Sequence, residues 1–385
     1  MHPTVSELIV HDAAIRENTA AFARLTGDRL MAVLKADAFG HGAIAHSVVE
    51  AGARSIGVTS IEEAVALRES GVDAPILSWL NTPEADFEEA VRRRIDLAVS
   101  STELLAAVAR GAVRAGSPAR IHLHIDVGMA RDGCAAADWA PLCALARETE
   151  ASGSARVVGI MGHMSCADDP ADPQNARERL VFENAIRTAR RRGLSPACSH
   201  LAATAATLTG AGTGFDIHRI GAGLFGIDPS GSTDLLKPAL TLTSRVVSSR
   251  EVGAGTGVGY GLDFVAQRST HLALLPVGYG DGLPREASGR AEVLVRGRRR
   301  PLVGRFSMDM IVVDTGEEQL QPGERVTVFG PGDEGEPTVA EWAAWSRTIP
   351  HEIVTRLGSR IPRIHRTVEL SHHPRHSARP QGAAA

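Results

Sequence analysis

Residues 30–43 read LMAVLKADAFGHGA, an apolar run that ends on Lys35 and is followed by Phe39, Gly40, His41 and Gly42. Leu30, Met31, Ala32, Val33 and Leu34 leave no polar alternation, so the stretch predicts a strand covered on both faces. Such strands belong to parallel sheets walled by helices. A lysine closing one must be paired, deprotonated or covalently bound, because an unpaired buried charge is costly.

The same texture recurs on either side. Short apolar strands are expected at SIGVT (55–59), PILSW (75–79), DLAVS (96–100), RIHLHID (120–126), VVGIMGH (157–163), ACSH (197–200) and DIHRI (216–220). Amphipathic helical stretches separate them: AIAHSVVEAGA, SIEEAVALRESG, PEADFEEAVRRR, TELLAAVARGAVRAG and ENAIRTARRRG. Eight β/α repeats within one domain predict a (β/α)8 TIM-like barrel, an α/β fold, over residues 11–235. After residue 236 the segments ALTLTSRVVSSREV, RSTHLALLPVGYG, AEVLVRGRRRPLVGRFSMDMIVVD and ERVTVFG alternate between Gly and Pro turns. They predict a second, mainly β domain over 236–368, with one helix near TVAEWAAWS. The opening strand, 5–10, is expected to join that domain. Residues 369–385, with His372, His373 and His376, read as a disordered tail.

The totals exclude several classes. A net charge of −4 offers no electrostatic case for nucleic acid or an anionic membrane. No apolar run is long enough to span a bilayer, and MHPTVSELIVHDAA lacks the basic start and long apolar core of a signal peptide. A cytoplasmic protein is expected. Cys134, Cys143, Cys166 and Cys198 show no metal-ligand spacing and read as reduced, buried thiols. His122 and His124 alternate on one strand, but no HExxH or carboxylate partner follows, so no catalytic metal is expected.

Barrel active sites form where strands end. Lys35 closes the first strand; Asp126, Met129 and Arg131 follow the fifth; His163 ends the sixth; His200 and Thr204 follow the seventh; Arg219 ends the eighth. The glycines of RIGAGLFG, with Gly221, Ala222 and Gly223, expose backbone N–H groups where barrels commonly hold a phosphate. A lysine opposite a phosphate cradle points to pyridoxal 5'-phosphate held as a Schiff base.

These stretches resemble the alanine racemase family. AVLKADAFGHGA looks like its cofactor-lysine motif, and HIDVGMARDG, HLAATAATL, HRIGAGLFGID, GVGYGLDF, PVGYGDGLPR, GRFSMDM and EIVTRLGSRIPR resemble further motifs in the same order. The resemblance runs from about residue 6 to 366. It implies a pyridoxal-phosphate barrel with a β domain, assembled as a head-to-tail homodimer with shared active sites.

By that resemblance Lys35 is the anchor and one catalytic base, and Tyr260 of the partner subunit is the other. Two bases on opposite faces remove and return the α-proton. His163 would contact the tyrosine, and Arg219 and His200 would extend the network. Arg219 would face the ring nitrogen and keep it unprotonated. His200, Thr204, Arg219, Gly221, Ala222 and Arg131 would hold the cofactor, while Arg131 and the Met308 N–H would hold the substrate carboxylate. Arg285, Arg305, Tyr279 and Asp168 would line an entrance.

The chain departs from the family pattern at three places. Phe39 stands where a tyrosine is usual, which removes one hydroxyl aimed at the phosphate. His124 stands where many members carry a carbamylated lysine bracing the arginine at position 131. Ser359, near the mouth, stands where some members carry a bulkier group. The expected activity is therefore an alanine racemase, with a racemase of serine or longer amino acids as the alternative. A barrel decarboxylase is opposed by Arg219, since those relatives carry a carboxylate there. A non-enzymatic pyridoxal-phosphate carrier is opposed by the β domain and Tyr260.

Overall fold

A computed structural model of the chain describes residues 5–366; the tail expected over 369–385 lies outside them. Strand β1 (Ser6–His11) passes directly into a helix over Asp12–Thr26, which stops at Gly27 in the left-handed conformation, φ 60°. Eight strands follow: β2 (Leu30–Val33), β3 (Ser55–Val58), β4 (Ile76–Ser78), β5 (Ile95–Val99), β6 (Ala119–His124), β7 (Ala155–Met161), β8 (Cys198–His200) and β9 (His218–Ile220). They pair in parallel in the order β8–β7–β6–β5–β4–β3–β2–β9. Met31, Leu77, Ala98 and Met161 pack together with Trp79 and Ile217. Leu30, Ala32, Ile56, Val58, Ile76, Ile95, Leu97, Val99, Ile121, Leu123 and Ile160 belong to the main core that these strands share with the helices.

The last seam, between β8 and β9, carries no regular ladder. The Asp216 carboxylate accepts from Ser199 N–H at 2.8 Å and from Ser199 Oγ at 2.7 Å. Asp216 N–H returns a bond to Ser199 O at 2.8 Å, and Arg219 N–H reaches Ala202 O at 3.0 Å. The barrel is thus nearly closed, with the Asp216 carboxylate supplementing a few irregular backbone bonds.

The strand expected to reach Lys35 stops at Val33. Lys35 opens a short turn in which Ala36, Asp37, Ala38 and Phe39 all have φ between 51° and 56°. A left-handed residue other than glycine costs roughly 1–2 kcal/mol, so four in succession need external support. His41 supplies part of it, its Nδ1 donating to Ala38 O at 2.9 Å and Phe39 O at 3.0 Å. Glu63 supplies more by accepting from Ala36 N–H at 2.8 Å. Gly40, at φ 79°, is required outright, because a Cβ there would stand 2.4 Å from Val354 O.

The rest of the chain is mainly β: β10 (Leu240–Arg245), β11 (Ser248–Val252), β12 (Gly257–Val258), β13 (Phe264–Val265), β14 (Thr270–Leu275), β15 (Glu292–Val295), β16 (Arg298–Val303), β17 (Ile311–Gly316), β18 (Arg325–Phe329) and β19 (Arg363–Arg366). A nine-stranded sheet runs β11–β14–β17–β16–β15–β18–β10–β1–β19. The opening strand joins it, antiparallel to β10 and parallel to β19. Thr338 and Glu341 form a capping box that starts the anticipated helix, Val339–Trp345. A second helix, Pro350–Thr355, was not anticipated; it packs against the turn that bears Lys35.

Candidate active site

Arg219 is the hub. Its guanidinium is buried, and Nη1 donates to His200 Nδ1 and to His200 O, each at 2.9 Å. Nη2 donates to Gly162 O at 2.6 Å, with His163 Nδ1 at 3.3 Å and Leu201 O at 3.2 Å sharing its second hydrogen. A guanidinium has five N–H donors. The protein takes four, and Nε–H is left over. Burial, then the charge of Arg131, lowers its pKa to about 10, so it remains a cation at neutral pH.

Around it stand the other strand-end groups. Burial, then Arg131 and more weakly Arg219, hold the Lys35 ammonium below its ordinary pKa, against the opposing pull of Glu63. Burial and the charges of Arg219, Arg131 and Lys35 lower His163 to about 3. His200 is fully buried and, with Arg219 beside it, is also held well below the ordinary range. Both imidazoles are therefore neutral. Arg131 follows a turn fixed by Asp126, whose Oδ1 accepts from the N–H groups of Gly128, Met129 and Ala130 at 2.9, 3.0 and 3.2 Å.

The glycine-rich turn after β9 closes the mouth. Thr204, the first residue of a helix over Thr204–Thr209, accepts from Gly221 N–H at 3.3 Å and Gly223 N–H at 3.4 Å. A Cβ on Gly221 would come within 2.8 Å of the Phe39 ring, and one on Gly223 within 2.5 Å of Phe22. Phe39 thus forms an apolar wall of this turn, its ring centroid 5.0 Å from that of Phe225.

The Tyr260, Met308 and entrance groups stand apart from this cluster. Tyr260 is 69% exposed, in a short turn (Tyr260–Leu262) flanked by Gly259 at φ 77°, and among the described residues it makes no hydrogen bond to Lys35, His163 or Arg219. Met308 is 54% exposed. Its loop accepts from Tyr279 N–H through Ser307 O at 3.1 Å, and from Gly280 N–H through Met308 O at 2.8 Å. Arg305 pairs with Asp263, which Arg285 also influences. Ser359 and Asp168 are exposed. A chain taken alone brings together Lys35, Arg131, His163, His200 and Arg219 beside the Thr204 and Gly221–Gly223 turn; Tyr260 and Met308 stay on an open face.

Several contacts, and one residue, escaped the sequence reading. His351, on the unanticipated helix, is near enough for the Lys35 charge to lower its pKa, after burial. His124 is buried with neither ring nitrogen hydrogen-bonded, although Nδ1 lies 3.4 Å from Asp132 Oδ2. His122, Cys198 and His200 bring potential ligand atoms within 4.8 Å of one another. The two histidines spend theirs on a mutual hydrogen bond at 2.9 Å, and burial raises the Cys198 thiol to about 11, so no thiolate is on offer. No pattern in the sequence announces these contacts, because they join different strands.

A barrel rim with a lysine of lowered pKa, a buried arginine hub and a glycine turn defines an enzyme. Residues 10–229 match the family model described as Alanine racemase, N-terminal domain, and residues 239–365 match Alanine racemase, C-terminal domain. The chain belongs to the alanine racemase family and is an isomerase. It is 42% identical over 357 residues to the alanine racemase of Thermobifida fusca, covering 91% of this chain and 96% of that one. It superposes on the alanine racemase of D-cycloserine-producing Streptomyces lavendulae with a TM-score of 0.92 at 39% identity, covering 96% and 99% of the two chains. The alanine racemase of Bartonella henselae, solved with covalently bound pyridoxal phosphate, gives a TM-score of 0.84 at 27% identity, covering 94% and 100%.

Proposed function

We propose that this protein interconverts L- and D-alanine in the cytoplasm with pyridoxal 5'-phosphate, as a homodimer whose sites are completed by Tyr260 of the partner subunit. The barrel, 11–235, would carry the cofactor, and the β domain, 236–368 with strand 5–10, the second base. The observation that carries the reading is the single spare donor of Arg219. Its Nε–H suits an aromatic ring nitrogen that accepts a hydrogen bond. The Gly221–Gly223 turn, with Ala222 and Thr204, suits the phosphate at the other end.

Pyridoxal phosphate, when bound, supplies an electron-withdrawing ring that acidifies the hydrogen on the substrate α-carbon. Lys35 Nζ is its anchor and then a base on one face; a lowered pKa favours the neutral amine that this needs. Tyr260 Oη of the partner subunit serves the other face. His163 Nδ1 accepts from Arg219, which leaves Nε2–H to donate to that phenolic oxygen as it loses its proton. Arg219 cannot readily give its proton to a ring nitrogen. Arg131, with the backbone N–H of Met308, would hold the substrate carboxylate.

Two departures favour a broader substrate range as the second reading. His124 cannot carry a carbamate, and Ser359 leaves the rim open. Chiral chromatography of the purified, cofactor-loaded protein incubated with a panel of L-amino acids tests both readings. D-alanine as the main product supports the first, and D-serine or longer products at comparable rates support the second. No D-enantiomer from any of them contradicts both.

A further inference from the structure

Two hydrogen bonds and a longer histidine–carboxylate contact line up across the barrel interior from Arg219 to the opposite end. Arg219 Nη1 donates to His200 Nδ1 at 2.9 Å, so that nitrogen carries no hydrogen. The His200 proton must sit on Nε2, which lies 2.9 Å from His122 Nδ1. His122 Nδ1 is therefore the acceptor, and its proton sits on Nε2, 3.5 Å from Asp96 Oδ2. The direction is forced at every step by the permanent donor at one end and the acceptor-only carboxylate at the other.

The surroundings are built for this line. Gly159 lies beside it, and a Cβ there would stand 2.1 Å from His122 Nδ1. Asp96, His122 and His200 are all buried. Arg120 grips Asp96 with Nε at 2.7 Å and Nη2 at 3.1 Å. Burial pushes the Asp96 carboxyl up, but bonds from His122 and Arg120 outweigh it and hold it below its ordinary pKa, hence ionised. Asp96, Arg120, His122 and Cys198 also line a cavity of about 300 Å³ at the start of the barrel strands, away from the catalytic mouth.

We infer that Asp96 is a positioning residue for catalysis: through His122 and His200 it fixes the donor direction that holds the Arg219 guanidinium with Nε–H aimed at the cofactor. The inference rests on the cofactor reading above. Its effect is on tautomers. In Asp96→Asn the one remaining acceptor oxygen is taken by Arg120, a pure donor, and the amide N–H₂ turns to His122 Nε2. That reverses His122, whose proton moves to Nδ1 and faces His200 Nε2–H. One contact in the line must then break, at His200 or at Arg219.

Neutron diffraction from deuterated crystals of the full-length parent and Asp96→Asn enzymes, with steady-state kinetics on both, tests this. The parent should show deuterons on Nε2 of His122 and His200 and none on either Nδ1. The variant should carry its His122 deuteron on Nδ1, with kcat reduced roughly tenfold or more and KM within about twofold, as when a residue orienting a catalytic histidine is lost. A parent deuteron on His122 Nδ1 overturns the inference. So does a variant whose kcat is unchanged, or one whose kcat falls while the deuterons stay in place. The parent's deuteron positions are readable whether or not it racemises alanine, so failure of the cofactor reading is seen separately.

Discussion

His124 Nδ1 lies 3.4 Å from Asp132 Oδ2, and the contact holds the Asp132 carboxyl below its ordinary pKa despite partial burial. Asp132 follows Arg131 directly. The chain therefore carries a fixed carboxylate beside the proposed substrate-binding arginine, where many family members make one by carbamylating a lysine. We expect racemase activity to be the same in bicarbonate-free and bicarbonate-supplemented buffer. His124→Lys should introduce bicarbonate sensitivity and narrow the substrate range toward alanine. A parent that already needs bicarbonate, or a variant with an unmoved substrate profile, would reduce His124 to a filler of that pocket.

Arg219→Glu replaces a fixed cation by a group that favours a protonated ring nitrogen. Turnover should slow and a new long-wavelength absorption band should develop with substrate. If spectrum and rate both match the parent, Arg219 does not face the cofactor.

Sharing of the site is testable by subunit mixing. Lys35→Ala and Tyr260→Phe homodimers should each be nearly inactive. In mixed dimers one site carries both lesions and the other carries none, so activity should return once exchange is shown. Exchange without rescue would put both residues in one subunit's site, against the 69% exposure of Tyr260 in the single chain.

The glycine turn makes a stability prediction. Phe22 is fully buried, so a Cβ on Gly223 at 2.5 Å from its ring cannot be relieved by a swing into solvent. Gly223→Ala should cost about 1–3 kcal/mol and weaken cofactor binding. Gly253→Ala, where no atom lies within 4 Å, is the control and should leave the urea midpoint unchanged. Equal midpoints for the two variants would show that the turn has slack.

Acid should destabilise the fold through His41. Its Nδ1 must carry a proton to reach the Ala38 and Phe39 carbonyls, and burial lowers its pKa to about 3. The unfolded imidazole titrates near its ordinary value, so as pH falls from about 6.5 the unfolded state takes up the proton first. Stability from this group is complete above that value and falls progressively toward pH 3, by roughly 2 kcal/mol at pH 5. Carboxylates held low, such as Asp96, add their loss only below about pH 4. Urea midpoints that do not decline between pH 7 and 5 would contradict the assignment.

The barrel was legible because its strands are apolar on both faces and its helices carry period-3.6 patterns, both local signals. The strand-end groups followed from that order alone. Two kinds of feature were not legible. The left-handed turn at 36–39 is enforced by His41, Glu63 and Val354, partners that no local propensity for Ala or Phe would predict. The line from Asp96 to Arg219 joins β5, β6, β8 and β9, so only the folded register brings its members together. The helix at Pro350–Thr355 is too short to show a period.

The central claim is that Lys35 anchors pyridoxal phosphate opposite the Gly221–Gly223 turn and beside Arg219. Borohydride reduction of the yellow, cofactor-loaded protein, followed by proteolysis and mass mapping of the reduced adduct, tests it most directly. A single modified peptide with the pyridoxyl group on Lys35 is expected, and none in Lys35→Ala. An adduct on another lysine, or a protein that takes up no cofactor, would contradict it.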